Sequence, residues 1–187
     1  MSQYDTSCYD IYVSGSHTSR KQSRPLYSQE NLCLLADLRF HLRRFLAFSE
    51  TAAAEHGTRA QHYQLLQVIA AAPAEKPVTI AYVAERMILR HNSAVELVDR
   101  AEQEGHLVRE GDPIDHRRTL LRITPQGEQL IASLLEVHLH GLHELAPEMA
   151  RSLRALSPAL HVVSHLKPSG MTPPSIVPAT SGKRSKS

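Results

Sequence analysis

The 187-residue sequence contains no tryptophan and only two cysteines, and aromatic residues make up 5% of it. It has no apolar run long enough to span a membrane and no stretch typical of a signal peptide. Two cysteines do not supply the disulfide framework that stabilises small secreted domains. These absences exclude a disulfide-rich secreted scaffold and an integral membrane protein. We expect a cytoplasmic protein without a membrane partner.

Signatures of catalysis are also absent. The sequence has no nucleophile elbow, no phosphate-binding glycine loop and no HExxH motif. Asp115 and His116 are adjacent, but no nucleophile stands at a spacing that would complete a catalytic set. We therefore expect no enzymatic activity and no bound cofactor.

The charge balance is nearly neutral, with a formal net charge of +2. The segment 167–187 holds four basic residues and no acidic one, so the remaining residues carry a net charge of −2. An argument for nucleic-acid binding must therefore rest on where individual arginines lie, because local phosphate contacts determine that electrostatic contribution.

Composition divides the chain into three parts. Residues 1–28 are rich in Ser, Tyr, Gln and Arg with little periodicity, and residues 167–187 are rich in proline and end in a basic run. Both segments are predicted to be disordered. A folded domain is predicted between them, over residues 29–166.

Two helical patterns separated by a short turn form the centre of that domain. Thr79 is placed to cap the first, and the second is predicted from Asn92 to Glu104. In the second, one face is apolar and the opposite face is polar, at helical spacing. Asn92 or Ser93 is predicted to cap it, and Gly105 to end it in the left-handed conformation. The apolar face consists of Ala94, Leu97, Val98 and Ala101, and the polar face of Ser93, Glu96, Arg100 and Gln103.

A β-hairpin is predicted after this helix. Two short β-rich runs, 106–109 and 119–123, flank turn residues that begin with Gly111-Asp112-Pro113. Asp115, Arg117 and Arg118 lie in the loop between the strands, which is long enough to project from the domain.

Long apolar helices flank the central motif. One is predicted from Glu30 to Ala54, a shorter one from Gln61 to Ala72, and another from Pro125 onward, with a separate helix beginning at Pro147. The long helices carry more apolar surface than one small domain requires, so we expect a homodimer. The first stripe comprises Leu34, Leu35, Leu38, Leu42, Phe45 and Leu46.

The central segment resembles the MarR family of bacterial transcriptional regulators. The resemblance rests on four phrases in unbroken order: Ser93 to Arg100, Glu104 to Arg109, Asp115 to Arg117, and Ile123 to Gly127. It extends over about Glu30 to Leu166 when the flanking helices are included. His106 departs from the pattern, since an apolar or aromatic residue is usual there, and Ala101 replaces the usual Leu. Both departures are expected to soften packing beneath the hairpin.

The resemblance implies a mainly α winged helix-turn-helix with a two-stranded β-wing, flanked by long dimerisation helices. It implies a ligand-responsive repressor that binds an inverted-repeat operator in double-stranded DNA as a homodimer, with a small-molecule effector. Asp115 would orient Arg117, and Arg117 would enter the minor groove. The helix from Asn92 would read bases in the major groove. The remaining predicted DNA contacts are Arg90, His91, Ser93, Glu96, Arg100 and Arg118.

Three alternatives remain open at this stage. Cys33 stands near the start of the first helix, as does the reactive cysteine of the organic-hydroperoxide sensors within the family, although a buried inert thiol is the simpler interpretation. Glu136, His140 and His143 share one helical face and are candidate metal ligands, against an interpretation as a solvated face. Finally, a dimeric interaction module would keep the fold without binding specific DNA.

Overall fold

The computed structural model describes residues 28–165, which are mainly helical with one two-stranded antiparallel sheet in that range. This confirms the predicted fold class. None of the helices within these residues has the length and apolarity needed to cross a membrane. In chain order the elements are α1 (Gln29–Glu55), α2 (Ala60–Ala70), α3 (Ile80–Arg86), α4 (His91–Gln103), β1 (Leu107–Gly111), β2 (Thr119–Ile123) and α5 (Pro125–His165).

The described residues divide into two compact units. The first contains residues 28–49 and 139–165, and the second contains residues 50–138. The helix-turn-helix and the hairpin therefore belong wholly to the second unit. The segments 1–27 and 166–187, which include both predicted disordered ends apart from Ser28, lie outside the described residues.

The second unit is built around one apolar core. The predicted apolar face of α4 is buried there, against α2, α3 and the hairpin. The predicted polar face of α4 is exposed. Helical periodicity thus identified both faces correctly. The buried residues of this core are Leu65, Leu66, Ile69, Val83, Ala84, Ala94, Leu97, Val98, Ala101, Leu107 and Leu121.

The turn between α3 and α4 fixes where each helix begins. The hydroxyl of Thr79 accepts a hydrogen bond from the amide of Tyr82 at 3.3 Å, which confirms the predicted cap of α3. Ile88 follows α3 with a φ of 55°, which is rare for a β-branched residue, and the amide of Leu89 donates to the carbonyl of Ala84 at 2.8 Å. Because of this turn, α4 begins at His91, one residue before the predicted start at Asn92.

The predicted cap of α4 was wrong. Arg90 occupies the N-cap position and makes no side-chain capping bond, while Asn92 and Ser93 lie within the first turn. The capping box of Ser93 with Glu96 is therefore absent from α4. At the other end Gly105 adopts a φ of 76°, as predicted.

The hairpin pairs Leu107 with Ile123 at its base and Gly111 with Thr119 at its tip. Strand β1 starts one residue later than predicted and extends two residues further. Gly111 is consequently a strand residue, and the loop comprises residues 112–118.

Helix α5 continues through two prolines. The prediction that Pro147 begins a separate helix was wrong, because α5 runs from Pro125 to His165 with Pro147 and Pro158 inside it. Proline has a φ compatible with a helix, but it removes one backbone donor and crowds the preceding turn. Burial of Leu145, Ser152 and Leu156 along the same helix favours continuation.

In the first unit, Gly141 of α5 lies against the ring of Phe48 of α1. A Cβ at position 141 would overlap that ring. Much of the predicted apolar stripe of α1 is uncovered here: Leu35, Leu42 and Leu46 are each at least 40% exposed, whereas Leu34 is buried.

Gly127 provides a test of how closely α5 and the base of the hairpin approach. A Cβ there would overlap the carbonyl oxygen of His106, which already accepts a hydrogen bond from Thr124 at 3.1 Å. We expect Gly127→Ala to lower the free energy of unfolding by about 1–3 kcal/mol, because overpacking outweighs the gain of about 0.5–1 kcal/mol in helix propensity. Urea unfolding followed by circular dichroism measures this.

Gly111→Ala is the matched control, because a Cβ at Gly111 would meet nothing within 4 Å. We expect its stability to stay near that of the wild type. Equal stabilities for the two variants would contradict the close approach.

Candidate nucleic-acid interface

The exposed face of α4 carries most of the residues predicted to contact DNA. Because the apolar face is buried in the core, the opposite side of the helix points to solvent. Its first turn presents polar side chains that are short or flexible, followed by one carboxylate and one guanidinium. The predicted DNA contacts exposed here are Arg90, His91, Asn92, Ser93, Glu96 and Arg100.

The loop of the hairpin is organised by Asp112. This carboxylate is 6% exposed and accepts hydrogen bonds from the amides of Ile114 at 2.8 Å and Asp115 at 3.2 Å. The Nε of Arg118 lies 3.5 Å from its other oxygen. Sequence reasoning treated Asp112 only as a turn former, although Asp commonly bonds its own backbone two residues on.

These contacts lower the pKa of Asp112. The backbone donors at Ile114 and Asp115 are the main cause, and the charges of Arg118 and His116 act in the same direction against desolvation. Hydrogen bonding to the charged form favours that form. The carboxylate therefore holds the loop best when it is ionised.

Asp115 holds Arg117 in a different way from the one expected. Its Oδ1 accepts from the backbone amide of Arg117 at 3.2 Å, while its Oδ2 pairs with the Nε of Arg118 at 2.9 Å. The guanidinium next to Asp115 is thus that of Arg118. Within residues 28–165, the exposed guanidinium of Arg117 takes part in no ion pair given by the structure, so it is available to a partner.

Arg109 joins the hairpin to α4. Its guanidinium bonds to the carboxylates of Asp99 and Glu102, and its amide donates to Glu102 Oε1 at 3.2 Å. Burial alone would lower the pKa of Arg109, but the bonds and charges of Asp99 and Glu102 raise it. Sequence reasoning missed this link. Its only local signal was the i, i+3 spacing of the two acids on α4.

A second polar cluster lies at the base of the hairpin, where His62 of α2 meets Glu104 and His106. His62 Nδ1 is 3.1 Å from Glu104 Oε2, and His106 Nδ1 is 3.7 Å from the same oxygen. The two imidazole rings meet edge to face, with 5.0 Å between their centroids. In sequence His62 is remote from the other two residues, so no local motif revealed the cluster.

Burial is the main cause that lowers the pKa of His62. The charges of His106 and Arg100 act in the same direction, and the Glu104 carboxylate opposes them. The neutral imidazole is therefore the favoured form. Within residues 28–165, His62 Nε2 and His106 Nδ1 are buried without a hydrogen-bond partner.

The other candidate sites from the sequence lie elsewhere. Cys33 is buried at 5% exposure in the first unit, with the side-chain amide of Gln29 at 3.8 Å from its sulfur, which favours the interpretation as an inert thiol. Glu136, His140 and His143 are exposed on α5. They are not brought together as a possible metal-binding group in the part of the chain that the structure describes.

Comparisons with known proteins agree with this geometry. A family model described as "MarR family" matches residues 56–118, which span α2 to the loop of the hairpin. A "putative transcriptional regulatory protein for hcr operon" from Thauera aromatica is 34% identical over 106 residues. That match covers 54% of this chain and 62% of the relative, so it spans less than two thirds of the relative's length.

Two solved structures show the same fold. AbsC, a MarR family transcriptional regulator from Streptomyces coelicolor, matches with a TM-score of 0.60 and 15% identity, over 76% of this chain and 100% of that one. A mutant of S. aureus MepR bound to an oligodeoxyribonucleotide matches with a TM-score of 0.50 and 15% identity, over 73% of this chain and 99% of that one.

The lowered pKa of Asp112 has a measurable consequence. The ionised carboxylate stabilises the folded loop at pH values above 3.8, the ordinary pKa of Asp, and this stabilisation is lost as the pH falls through the lower pKa of the folded state. Asp112→Asn cannot ionise. We expect its unfolding free energy to fall less steeply than that of the wild type as the pH is lowered below about 4, measured by denaturant titrations at several pH values. Parallel pH profiles for the two proteins would refute the role of the carboxylate.

Proposed function

This chain belongs to the MarR family of transcriptional regulators, and we propose that it represses its targets by binding an inverted-repeat operator as a homodimer. The family and the relatives described above are regulators and not enzymes. The proposal specifies the partner, the mode of DNA contact and the assembly. We place its action in the cytoplasm, with a small-molecule effector that releases the operator, as the family resemblance implies.

The observation that carries the proposal is the exposed polar face of α4 beside an ordered wing with an available arginine. The face and the wing belong to the same core unit, and Arg109 ties one to the other. A helix presented in this way fits the major groove of B-DNA, which is about 12 Å wide. An arginine on an adjacent loop reaches the minor groove, where a narrow width concentrates negative potential.

We assign roles along α4 from side-chain chemistry. Arg100 and Arg90 would contact phosphates or guanine, and Glu96 would accept from the amino group of cytosine. Asn92 offers both a donor and an acceptor, which suits adenine. His91 and Ser93 would contact the backbone at the start of the helix. His116, on the exposed loop, is a further candidate donor to DNA.

The MepR relative supports a DNA partner, since it was observed with an oligodeoxyribonucleotide on the same fold. At 15% identity the likeness concerns the fold alone, so the base contacts must be argued from the residues of this chain. The structure also distinguishes Arg117 from Arg118, although sequence analysis predicted both as DNA contacts. Arg118 is engaged with Asp112 and Asp115, so we assign it to loop structure first and to phosphate contact second.

Exposed apolar side chains in the first unit support a homodimer. Large apolar side chains left exposed in such number on two helices are typical of an interaction surface. A two-fold axis would place two copies of α4 about one DNA turn apart, roughly 34 Å, which is why we propose an inverted repeat. The exposed residues of α1 and α5 in this unit are Leu32, Leu35, Phe40, Leu42, Leu46, Leu139 and Leu153.

Arg117→Ala tests the wing. With an operator selected from random duplexes, we expect binding to weaken by about 1–3 kcal/mol, and the slope of log affinity against log salt to fall by about 1. The loss should be largest where the flanking sequence narrows the minor groove. Fluorescence anisotropy at several salt concentrations measures both quantities.

Arg122→Ala is the matched control on the same hairpin, since the guanidinium of Arg122 is already paired with Glu110 at 3.5 Å. We expect a much smaller loss of affinity. If Arg117→Ala leaves both affinity and flanking preference unchanged, the wing assignment is wrong. If the wild type binds selected and scrambled duplexes equally, the chain is instead an interaction module without specific DNA binding.

Leu46→Glu tests the dimer. We expect the wild type to sediment at twice the mass of the 20.8 kDa chain, and the variant to shift toward one chain, because an unpaired charge is costly in an apolar interface. Analytical ultracentrifugation at micromolar protein measures this. Ile114→Glu places the same charge on the 90% exposed loop residue and should leave the dimer intact. A monomeric wild type would overturn the proposed assembly.

A further inference from the structure

We propose that His62, Glu104 and His106 bind one divalent transition-metal ion of the zinc type. Within residues 28–165 these three residues are the group of His, Cys, Asp or Glu side chains whose ligand atoms converge, all within 4.8 Å of one another. The set is two imidazoles and one carboxylate, which is a common combination for zinc sites with an open position. Neither the regulatory proposal nor the α5 candidates account for this cluster.

The distances suit a small tetrahedral ion. With metal–ligand bonds of about 2.0–2.2 Å, neighbouring ligand atoms lie about 3.4 Å apart. The observed separations from Glu104 Oε2 are 3.1 Å to His62 Nδ1 and 3.7 Å to His106 Nδ1. The remaining pair, one nitrogen from each ring, lies within 4.8 Å, so rotation of the two rings would complete the spacing of a tetrahedral site.

The state of the imidazoles also favours a metal. His106 Nδ1 is buried and has no hydrogen-bond partner in the part of the chain that the structure describes, and a buried polar atom without a partner is costly. A bound ion would satisfy it. His62 is 3% exposed, and its Nδ1 lies 3.1 Å from Glu104 Oε2, so this ring is also withdrawn from solvent and directed at the proposed site.

The site has a route to solvent. The Glu104 side chain is 50% exposed, whereas those of His62 and His106 are 4% and 13% exposed. The carboxylate therefore lies at the mouth of the site, with the two rings behind it. The fourth position of the ion would face solvent and hold water.

The three ligands come from three parts of the second unit. His62 lies on α2, Glu104 is the C-cap of α4, and His106 directly precedes β1. A bound ion would link α2 to the short junction that joins α4 to the wing. If the proposed function holds, an ion that fixes this junction lowers the conformational entropy that the wing loses when it binds DNA. Zinc should therefore tighten operator binding.

The direct test uses the full chain after treatment with a chelator and subsequent desalting. Zinc affinity is measured by competition with a chromophoric chelator, and cobalt is added separately to follow the absorption of a tetrahedral ion. We expect one tight zinc ion per chain. Glu104→Gln removes the charged ligand but keeps the size of the side chain, and we expect it to weaken zinc binding by at least roughly 100-fold, since even partners outside the ligand shell cost 10–100-fold.

Control variants separate this site from other histidines, because the chain has twelve. The double variant His140→Gln with His143→Gln removes the competing candidates on α5, and we expect it to keep both the zinc affinity and the cobalt spectrum. His106→Gln should lose both. If the α5 variant loses the tight ion, or if Glu104→Gln and His106→Gln retain it, the assignment is overturned.

Thermal unfolding distinguishes a variant that has lost only the metal site from one that does not fold. Glu104 is the safest position because it is half exposed, and we expect Glu104→Gln to keep a cooperative transition without zinc. Zinc should raise the Tm of the wild type and leave that of Glu104→Gln unchanged. An equal rise in both proteins would contradict the site.

Operator binding with and without zinc then tests the regulatory consequence, which rests on the proposed function. Tighter binding for the wild type but not for Glu104→Gln supports it. Tight zinc binding without a change in operator affinity would overturn the regulatory role and leave the metal site standing. Failure to prefer any operator would overturn the proposed function while the zinc measurements on free protein remain decisive for the site.

Discussion

The burial of one face of α4 is the interaction on which the rest of the second unit depends. Leu97 and Val98 lie in the core with Leu65 and Leu66 of α2. Fully burying a side chain of this kind contributes about 1.5–3 kcal/mol. A helix held by one face can present only the other, so the core fixes which polar groups point outward. The orientation of the candidate interface is therefore a result of packing.

The wing is positioned by ion pairs formed within the protein. Arg109 is bound by Asp99 and Glu102, and Arg118 lies between Asp112 and Asp115. These pairs offset most of the charge around the hairpin. Arg117 is held through its backbone amide, so its guanidinium keeps its charge for a partner. The near-neutral net charge of the chain is thus compatible with one unpaired, exposed guanidinium at the tip of the described hairpin.

The sequence was most informative where a signal is local and repeats. Periodicity predicted both faces of α4, and glycine chemistry predicted the left-handed end at Gly105. It failed where packing overrides propensity: the turn at Ile88 starts α4 at His91, before the better capping residues, and α5 continues through Pro147. Contacts between distant residues were invisible. The meeting of His62 with Glu104, or of Arg109 with Asp99, requires the fold before it can be seen.

The contact between Phe48 and Gly141 constrains how this sequence can change over time. Any side chain at position 141 would occupy the space of the aromatic ring, while a smaller residue at position 48 would leave a void over bare helix backbone. Either replacement alone is destabilising. Together they restore the contact, because the side chain at position 141 fills the space left by the smaller residue at position 48. Positions 48 and 141 should therefore covary among descendants of this sequence, behaving in evolution as a single site shared by two helices.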